Sequence, residues 1–449
     1  MTLWTAAEAE AATLGKASRD FAVTGISIDT RTLKAGDLFV ALKGARDGHE
    51  FVNAAFQAKA SAAMVSRLSA SSGPLLVVAD TQRGLEDLAR AARARSHAKI
   101  VAVTGSAGKT TTKEMLRLCC NALGRTHASA ASYNNHWGVP LSLASMPRDA
   151  EYGVFEIGMN HAGEIRNLVS FVRPQVALIT TIAPAHLEFF GSCEAIADAK
   201  SEIFESLAPG GAALIPADSP HAARLVRRAE QAQVGRILRF GHQGDARLLS
   251  FDIAGQSMRL KADILGRAVD CLVGAEGAHI AMNAVAALAA VALADGDVLN
   301  AAAALKNFTA LKGRGARFQA AGIEVIDESY NANPASMAAA LALLATAKGR
   351  KLAVLGDMLE MGDEGPSLHA ALADPIEAAH TDLVFASGRQ MKALWDVLPP
   401  KRRGGYAENS AGLVEPLAAS LKPGDTVLVK GSLGSRMAVI VEALKGKAG

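Results

Sequence analysis

The amino-acid sequence predicts an α/β protein of three domains, with mostly parallel sheets. A length of 449 residues, at roughly 100 to 200 residues per domain, allows about two to four domains. Short apolar runs alternate along the chain with Ala/Leu-rich stretches of helical length, the pattern of repeated βαβ units. One of those runs, 100–104, feeds a glycine turn and then a helix-like stretch through Cys120.

The first domain, 1–95, carries strand-like runs at 25–28 and 38–42, broken by polar turns such as Lys34-Ala35-Gly36-Asp37. The second, 96–313, opens with the run 100–104 and holds buried-strand candidates at 154–157 and 176–182. The third, 314–449, follows the polar segment Leu311-Lys312-Gly313-Arg314-Gly315. It alternates strands at 323–326, 352–355, 383–386 and 426–429 with helices such as 337–347. No repeat of 20–50 residues is visible. Parallel sheets bind ligands at the carboxyl ends of their strands, so chemistry is expected just after those runs.

Composition removes several classes of function. Hydrophobic residues make up 50%, but the longest apolar stretch, near Ala284 to Ala294, stops at Asp295. That falls short of the about 20 residues a spanning helix needs, so no integral membrane segment is expected. The opening MTLWTAAEAEAATLG lacks a basic region and carries Glu8 and Glu10, unlike a signal peptide. Cys119 and Cys120 are adjacent, Cys193 and Cys271 stand alone, and no C-x-x-C occurs. Buried thiols in a reducing cytoplasm fit better than a disulfide framework, a zinc site or a redox pair. Lys+Arg 47 against Asp+Glu 44, with only a modest basic run from Arg90 to Lys99, argues against a nucleic-acid partner. The expectation is a cytoplasmic, multidomain protein, taken as a monomer.

The most informative motif is Val101-Ala102-Val103-Thr104-Gly105-Ser106-Ala107-Gly108-Lys109-Thr110-Thr111. Strand, glycine loop, Lys-Thr and helix stand in the order that a phosphate cradle requires. Glycines let backbone N–H groups converge on phosphate oxygens, and the helix adds its positive end. Lys109 reaches toward β/γ-phosphates and the Thr110 hydroxyl toward Mg²⁺. Val103 stands where the full phosphate-loop pattern has glycine, and an ordinary strand-to-helix turn is the competing reading. Phosphoryl transfer also needs metal-holding carboxylates. Glu156 ends an apolar run, and His186 and Glu188 follow another. Each also reads as an ordinary residue at a strand end. No NKxD guanine motif occurs.

The run from Thr104 through Thr112-Lys113-Glu114 resembles the ATP loop of the Mur ligases, the amino-acid-adding enzymes of bacterial peptidoglycan synthesis. Four further runs resemble the branch of that family that handles D-alanyl-D-alanine. They are Asn134-Asn135-His136-Trp137-Gly138-Val139-Pro140-Leu141, Ser329-Tyr330-Asn331-Ala332-Asn333-Pro334, Leu355-Gly356-Asp357-Met358-Leu359-Glu360-Met361-Gly362 and Val429-Lys430-Gly431-Ser432. Asp29-Thr30-Arg31, the run 36–42 and Asp47-Gly48-His49 resemble its UDP-sugar domain. The resemblance spans about the whole chain, in order.

The resemblance implies a UDP-muramoyl-binding domain (1–95), a central P-loop ATPase domain (96–313) and a C-terminal Rossmann-like domain taking the incoming dipeptide and part of ATP (314–449). It implies ATP and Mg²⁺ as cofactors, and UDP-N-acetylmuramoyl-tripeptide and D-alanyl-D-alanine as substrates. The implied reaction is amide formation through an acyl phosphate. Gly105, Ser106, Ala107, Gly108, Lys109, Thr110 and Thr111 then hold ATP. Thr110, Glu156, His186 and Lys200 form the metal side, with Lys200 matching the lysine that family members carry as a carbamate. Asn283 matches an adenine-side asparagine, and Arg314 an interdomain arginine that reaches the phosphates. Lys109, Lys200, His186 and Arg314 are the catalytic set. Glu328 stands at a position usually filled by Asp and is assigned to ribose. Asp29, Thr30, Arg31, Lys43 and His49 face the UDP part, with Arg31 a bidentate donor suited to diphosphate. Asn135, Asn331, Asn333, Asp357 and Glu360 complete the substrate-facing set. His136 replaces an acidic residue of some relatives and is assigned no role. A single-amino-acid or folate-type ligase, a nucleotide-dependent binder and a P-loop kinase are the competing readings. The last leaves the terminal runs unexplained.

Overall fold

A computed structural model describes residues 2–68, 71, 73–130 and 133–446. Among them the protein is a three-domain α/β structure with three large, mostly parallel sheets. The first domain has a five-stranded sheet in the order Lys16–Ala17, Leu75–Val77, Ala62–Val65, Asp37–Val40, Gly25–Ser27. All its ladders are parallel except the one to Lys16–Ala17. Asp80 caps the helix Thr81–Arg95, accepting from the Arg83 N–H at 2.9 Å. That helix buries Leu85, Leu88, Ala89 and Ala92 in an apolar core that runs on into the central domain as far as Ala229. Polar ties reinforce the joint. The Trp4 indole donates to the Ala144 carbonyl at 3.0 Å, and Arg93 Nε donates to the Val172 carbonyl at 2.7 Å.

The central sheet has nine strands. Lys99–Thr104 lies between Tyr152–Glu156 and Val176–Ile179, both parallel to it. Val101, Ala102 and Val103 are fully buried, as a strand covered on both faces requires. Beyond Ala212–Pro216 and Arg236–Gly241 the sheet changes character. Ala246–Ala254, Ser257–Ile264 and Arg267–Val273 form antiparallel ladders that the sequence reading did not anticipate. The apolar stretch around Ala284 belongs to the helix Ala278–Leu293, packed in the core against Met115, Leu116 and Cys119 of the helix Lys109–Asn121. Among the described residues, no helix is long and apolar enough to cross a membrane.

The third domain has a six-stranded sheet in the order Ala316–Ala320, Ile323–Glu328, Thr426–Lys430, Lys351–Gly356, Leu383–Ser387, Arg403–Ala407. Only its first ladder is antiparallel. The four expected strands are present with slightly wider bounds. The helix expected over 337–347 starts earlier, at Pro334, because Asn333 caps it reciprocally with Ser336. The run expected as a strand over 176–182 stops at Ile179. Thr180 still donates its N–H to the Thr104 carbonyl at 2.9 Å, but its hydroxyl turns to the glycine loop and donates to the Ala107 carbonyl at 2.5 Å.

Candidate active site

The glycine loop follows the strand Lys99–Thr104 and leads into the helix Lys109–Asn121. Two of its glycines are demanded by space and backbone. Gly105 has φ +149, and a Cβ there would lie 1.9 Å from Thr180 Oγ1. Gly108 has φ +81, and its Cβ would meet Asn283 Oδ1 at 2.8 Å. Ser106 is stitched to the segment after the next strand: its N–H donates to the Thr181 carbonyl, and its hydroxyl exchanges bonds with Ala183 at 2.9 and 3.0 Å. Asn333 of the third domain reaches the same loop, its Nδ2 donating to the Ser106 carbonyl at 3.2 Å.

Around this loop lies a cavity of ≈ 990 Å³. Its walls come from the carboxyl ends of the central strands and from the third domain. Ser106, Ala107, Gly108, Lys109, Thr111, Asn135, Glu156, His186, Lys200, Asn283, Arg314, Glu328, Asn331 and Asn333 all line it. Thus the structure gathers into one space residues spread over more than half the sequence. Pro216, Phe240, Met282, Ala339 and Ala340 add an apolar stretch of wall beside Asn283. A flat base on an apolar wall with one convergent amide is the usual composition of a ligand site.

Three basic side chains converge here. Lys109 Nζ donates to the Gly105 carbonyl. Burial lowers its pKa, Glu156 opposes the shift and Arg314 adds to it. Lys200, on the helix Cys193–Ser201, is only 2% exposed. No hydrogen bond or ion pair holds its amine among the described residues. Burial, followed by the charge of Lys109, lowers its pKa well below the ordinary lysine value. Arg314 lies over the Tyr330 ring at 4.1 Å from the centroid, a cation–π contact that parks it at the cavity wall. His186 pairs with Glu360. Its pKa is lowered by burial, with Glu360 opposing and Lys200 and Lys109 adding to the shift.

Two buried oxygens are left for a cation. Glu156 is 1% exposed; its Oε1 accepts from Asn134 Nδ2 at 2.8 Å, while Oε2 has no partner among the described residues. The hydroxyl of Thr110, a residue 5% exposed, likewise lacks one among them. Orphaned buried oxygens are costly, and a hydroxyl plus one carboxylate is the protein share of a typical Mg²⁺–phosphate site. The residues present therefore fit Mg²⁺. Burial disfavours the charged form of the Lys200 amine, and the neutral amine is the form that attacks CO₂, so the residue fits a carbamate.

The N-terminal candidates do not line this cavity. Asp29 and Arg31 pair with each other, Arg31 Nη2 at 2.6 Å from Asp29 Oδ2, and the Arg31 side chain is 86% exposed. Thr30 is half-buried and Lys43 exposed. His49 is buried with both ring nitrogens engaged, Nδ1 with Asp47 at 2.7 Å and Nε2 accepting from the Ser66 N–H at 2.9 Å. The His49 backbone N–H, donating to Asp47 Oδ1 at 3.0 Å, and then the His49 ring bring the Asp47 carboxyl down to about 2. The two regions are nevertheless joined: Gly44 faces the Trp137 ring and Gln82 donates to the His136 carbonyl at 2.9 Å. Asn135 also caps Trp137 and Gly138 through its side-chain oxygen. Asp357 is not in the cavity wall either; its carboxylate accepts from the Met391 N–H at 2.9 Å and packs over Gly388.

Sequence reading missed several residues of the site. Asn134 orients Glu156. Lys430, 2% exposed, donates to Glu328 at 3.2 Å and to the Asn331 carbonyl at 2.9 Å. Tyr330 carries Arg314. All three stand inside runs already quoted for their resemblance, which was the available signal.

Comparison with known proteins matches this architecture. Residues 22–103, 103–291 and 313–433 match the models for the Mur ligase family catalytic domain, the Mur ligase middle domain and the Mur ligase glutamate ligase domain. The chain belongs to the Mur ligase family, and it is a ligase. Among individual relatives, the UDP-N-acetylmuramoyl-tripeptide–D-alanyl-D-alanine ligase of Escherichia coli is 35% identical, over 95% of this chain and 94% of its own. The protein of the same name from Rickettsia prowazekii is 33% identical, over 93% and 94%. The crystal structure of MurF from Acinetobacter baumannii superposes with a TM-score of 0.88 at 31% identity, covering 99% of both chains. MurF from Thermotoga maritima in complex with ADP gives 0.81 at 25% identity, covering 95% of this chain and 98% of that one.

Proposed function

We propose that this chain is an ATP-dependent ligase of bacterial peptidoglycan precursor synthesis. It joins D-alanyl-D-alanine to UDP-N-acetylmuramoyl-tripeptide and yields UDP-N-acetylmuramoyl-pentapeptide, ADP and phosphate. The observation that carries this reading is the convergence of Lys109, Lys200 and Arg314 on a glycine loop beside two unpartnered oxygens. That is a polyphosphate and Mg²⁺ environment, and relatives matched over nearly the whole chain bear the name of this reaction.

A carboxylate is a poor electrophile for an amine. The tripeptide's terminal carboxylate oxygen bonds to the γ-phosphorus as ADP leaves, giving an acyl phosphate. The dipeptide amine then attacks the acyl carbon, phosphate departs with the C–O electrons, and the nitrogen loses its proton. Lys109 and Arg314 offset negative charge on the transferring group. Thr110, Glu156, His186 and Lys200 as carbamate form the metal side, where Mg²⁺ supplies charge neutralisation and orientation of phosphate oxygens. Asn283 and Glu328 take adenine and ribose, with Lys430 holding the Glu328 carboxylate. Asn135, Asn331 and Asn333 border the space where the two peptide substrates meet.

The first domain, 1–95, takes the UDP part through Asp29, Thr30, Arg31 and Lys43, and His49 acts there by bracing Asp47. The central domain, 96–313, holds ATP; the third, 314–449, brings the dipeptide. The enzyme works in the bacterial cytoplasm as a monomer. A coupled assay tests the reading: ADP release requires both UDP-N-acetylmuramoyl-tripeptide and D-alanyl-D-alanine. Turnover with a single amino acid in place of the dipeptide overturns it.

A further inference from the structure

Glu360 does not line the cavity, yet it makes two contacts across the joint between the central and third domains. Its carbonyl accepts from the Glu188 N–H at 3.1 Å, and its carboxylate makes a close ion-pair contact with His186 Nδ1, a buried ring nitrogen with no hydrogen-bond partner among the described residues. Both contacts run to the single turn 186–190. The opposing residues share an unusual backbone: His186 has φ 60 and Glu360 has φ 63, left-handed values that non-glycine residues rarely adopt. Such conformations persist only where surroundings over-determine them. Here they do. The Met358 N–H donates to the buried His369 Nε2 at 2.9 Å, the Leu359 N–H to Ser432 Oγ at 3.0 Å, and the Ser432 N–H to the Asp357 carbonyl at 3.0 Å. Gly362, at φ 58, would place a Cβ 3.3 Å from Glu188 Cα. The loop is built to press against the His186 turn. On the other side, Ser106 fastens the segment 181–183 that leads to His186.

We propose that Glu360 is a positioning residue for His186: arriving with the third domain, its carboxylate takes Nδ1 and leaves Nε2 to the cavity shared with Lys109 and Lys200. A carboxylate on one ring nitrogen fixes the tautomer and ring orientation of a histidine that works through the other. Ring geometry at the catalytic centre is thereby tied to closure of the third domain. This inference rests on the proposed ligase reading for its kinetic consequence only.

The test uses the full-length protein labelled with ¹⁵N-histidine, with His186 signals assigned by their loss in His186→Gln. In the wild type the His186 ring is expected as a single Nδ1–H form. In Glu360→Ala its two nitrogens average between tautomers, and in Glu360→Gln, whose amide oxygen still accepts from Nδ1–H, the wild-type pattern returns. With substrates, Glu360→Ala lowers kcat about 10- to 100-fold and leaves KM for D-alanyl-D-alanine within about twofold, while Glu360→Gln recovers most of the rate. Unchanged His186 signals in Glu360→Ala overturn the proposal. So does a raised dipeptide KM at unchanged kcat, the result expected if Glu360 contacts the dipeptide directly. The spectra need no substrate, so a wild type that forms no pentapeptide defeats the ligase reading while the tautomer still decides the pairing.

Discussion

Lys109 and Lys200 show how two identical side chains acquire different chemistry from their surroundings. Lys109 begins a helix beside the loop and shares its charge field with Glu156 and Arg314. Removing it in Lys109→Ala is expected to lower kcat at least about 100-fold, the scale of losing one preorganised donor at a developing charge, with unchanged thermal unfolding; steady-state ADP release measures it. Lys200 sits where its charged form is expensive, and its pKa is depressed in the folded state. The unfolded chain therefore binds one more proton between the depressed value and the ordinary 10.5, so this residue's penalty is full below the depressed value and fades as pH rises toward 10.5. In CO₂-free buffer, Lys200→Met is expected to be more stable than wild type at pH 7, with the gap shrinking toward pH 10, as followed by denaturant titration; with ¹³C-bicarbonate the wild type should show a carbamate resonance. A gap that does not change with pH, or a free amine in active enzyme, contradicts the assignment. Composition and spacing alone made Lys109 legible and left Lys200 as one helix lysine among many, because burial is a tertiary fact. Family resemblance singled it out.

Elements were legible wherever local chemistry and burial agreed. The strand Lys99–Thr104 reads as a continuous apolar run because both its faces are covered. The antiparallel strands of 246–273 alternate charged and apolar residues, as in Ser257–Ile264, a period-2 pattern that a search for buried parallel strands passes over. Their turn at Leu265 and Gly266, both at positive φ, was the other missed sign. Asn333 shows one residue serving two elements: it caps the helix Pro334–Ala345 and donates to the Ser106 carbonyl. Aspartate is as good a cap but cannot donate. Asn333→Asp should keep stability within about 0.5 kcal/mol and raise KM for ATP, whereas Asn333→Ala should also lose about 1 kcal/mol in chemical denaturation. Equal KM values in the two variants and the wild type would show that the contact to the loop carries nothing.

At the scale of the whole molecule, the first two domains share one apolar core, while the third has its own. The connecting segment 311–315 contains Gly313 at φ 74 and Gly315 at φ 95, and it places Arg314 in the cavity. Glycines on both sides of Arg314 give the backbone the freedom a hinge uses, so the third domain is expected to move against a rigid pair. Small-angle scattering should show a smaller radius of gyration with a non-hydrolysable ATP analogue and tripeptide substrate than without them. The number of domains and their order were readable from motif order. How they meet was not, since the contacts of Asn333 and Glu360 with the central domain join residues more than 170 positions apart, by 333 − 106 = 227 and 360 − 186 = 174.

The central claim is the reaction itself. The most direct measurement is the mass of the product formed by purified protein given Mg-ATP, UDP-N-acetylmuramoyl-tripeptide and D-alanyl-D-alanine. The account predicts the tripeptide mass increased by one dipeptide less one water, with one ADP and one phosphate released per product. ADP release without that mass, or the same adduct formed without ATP, would contradict it.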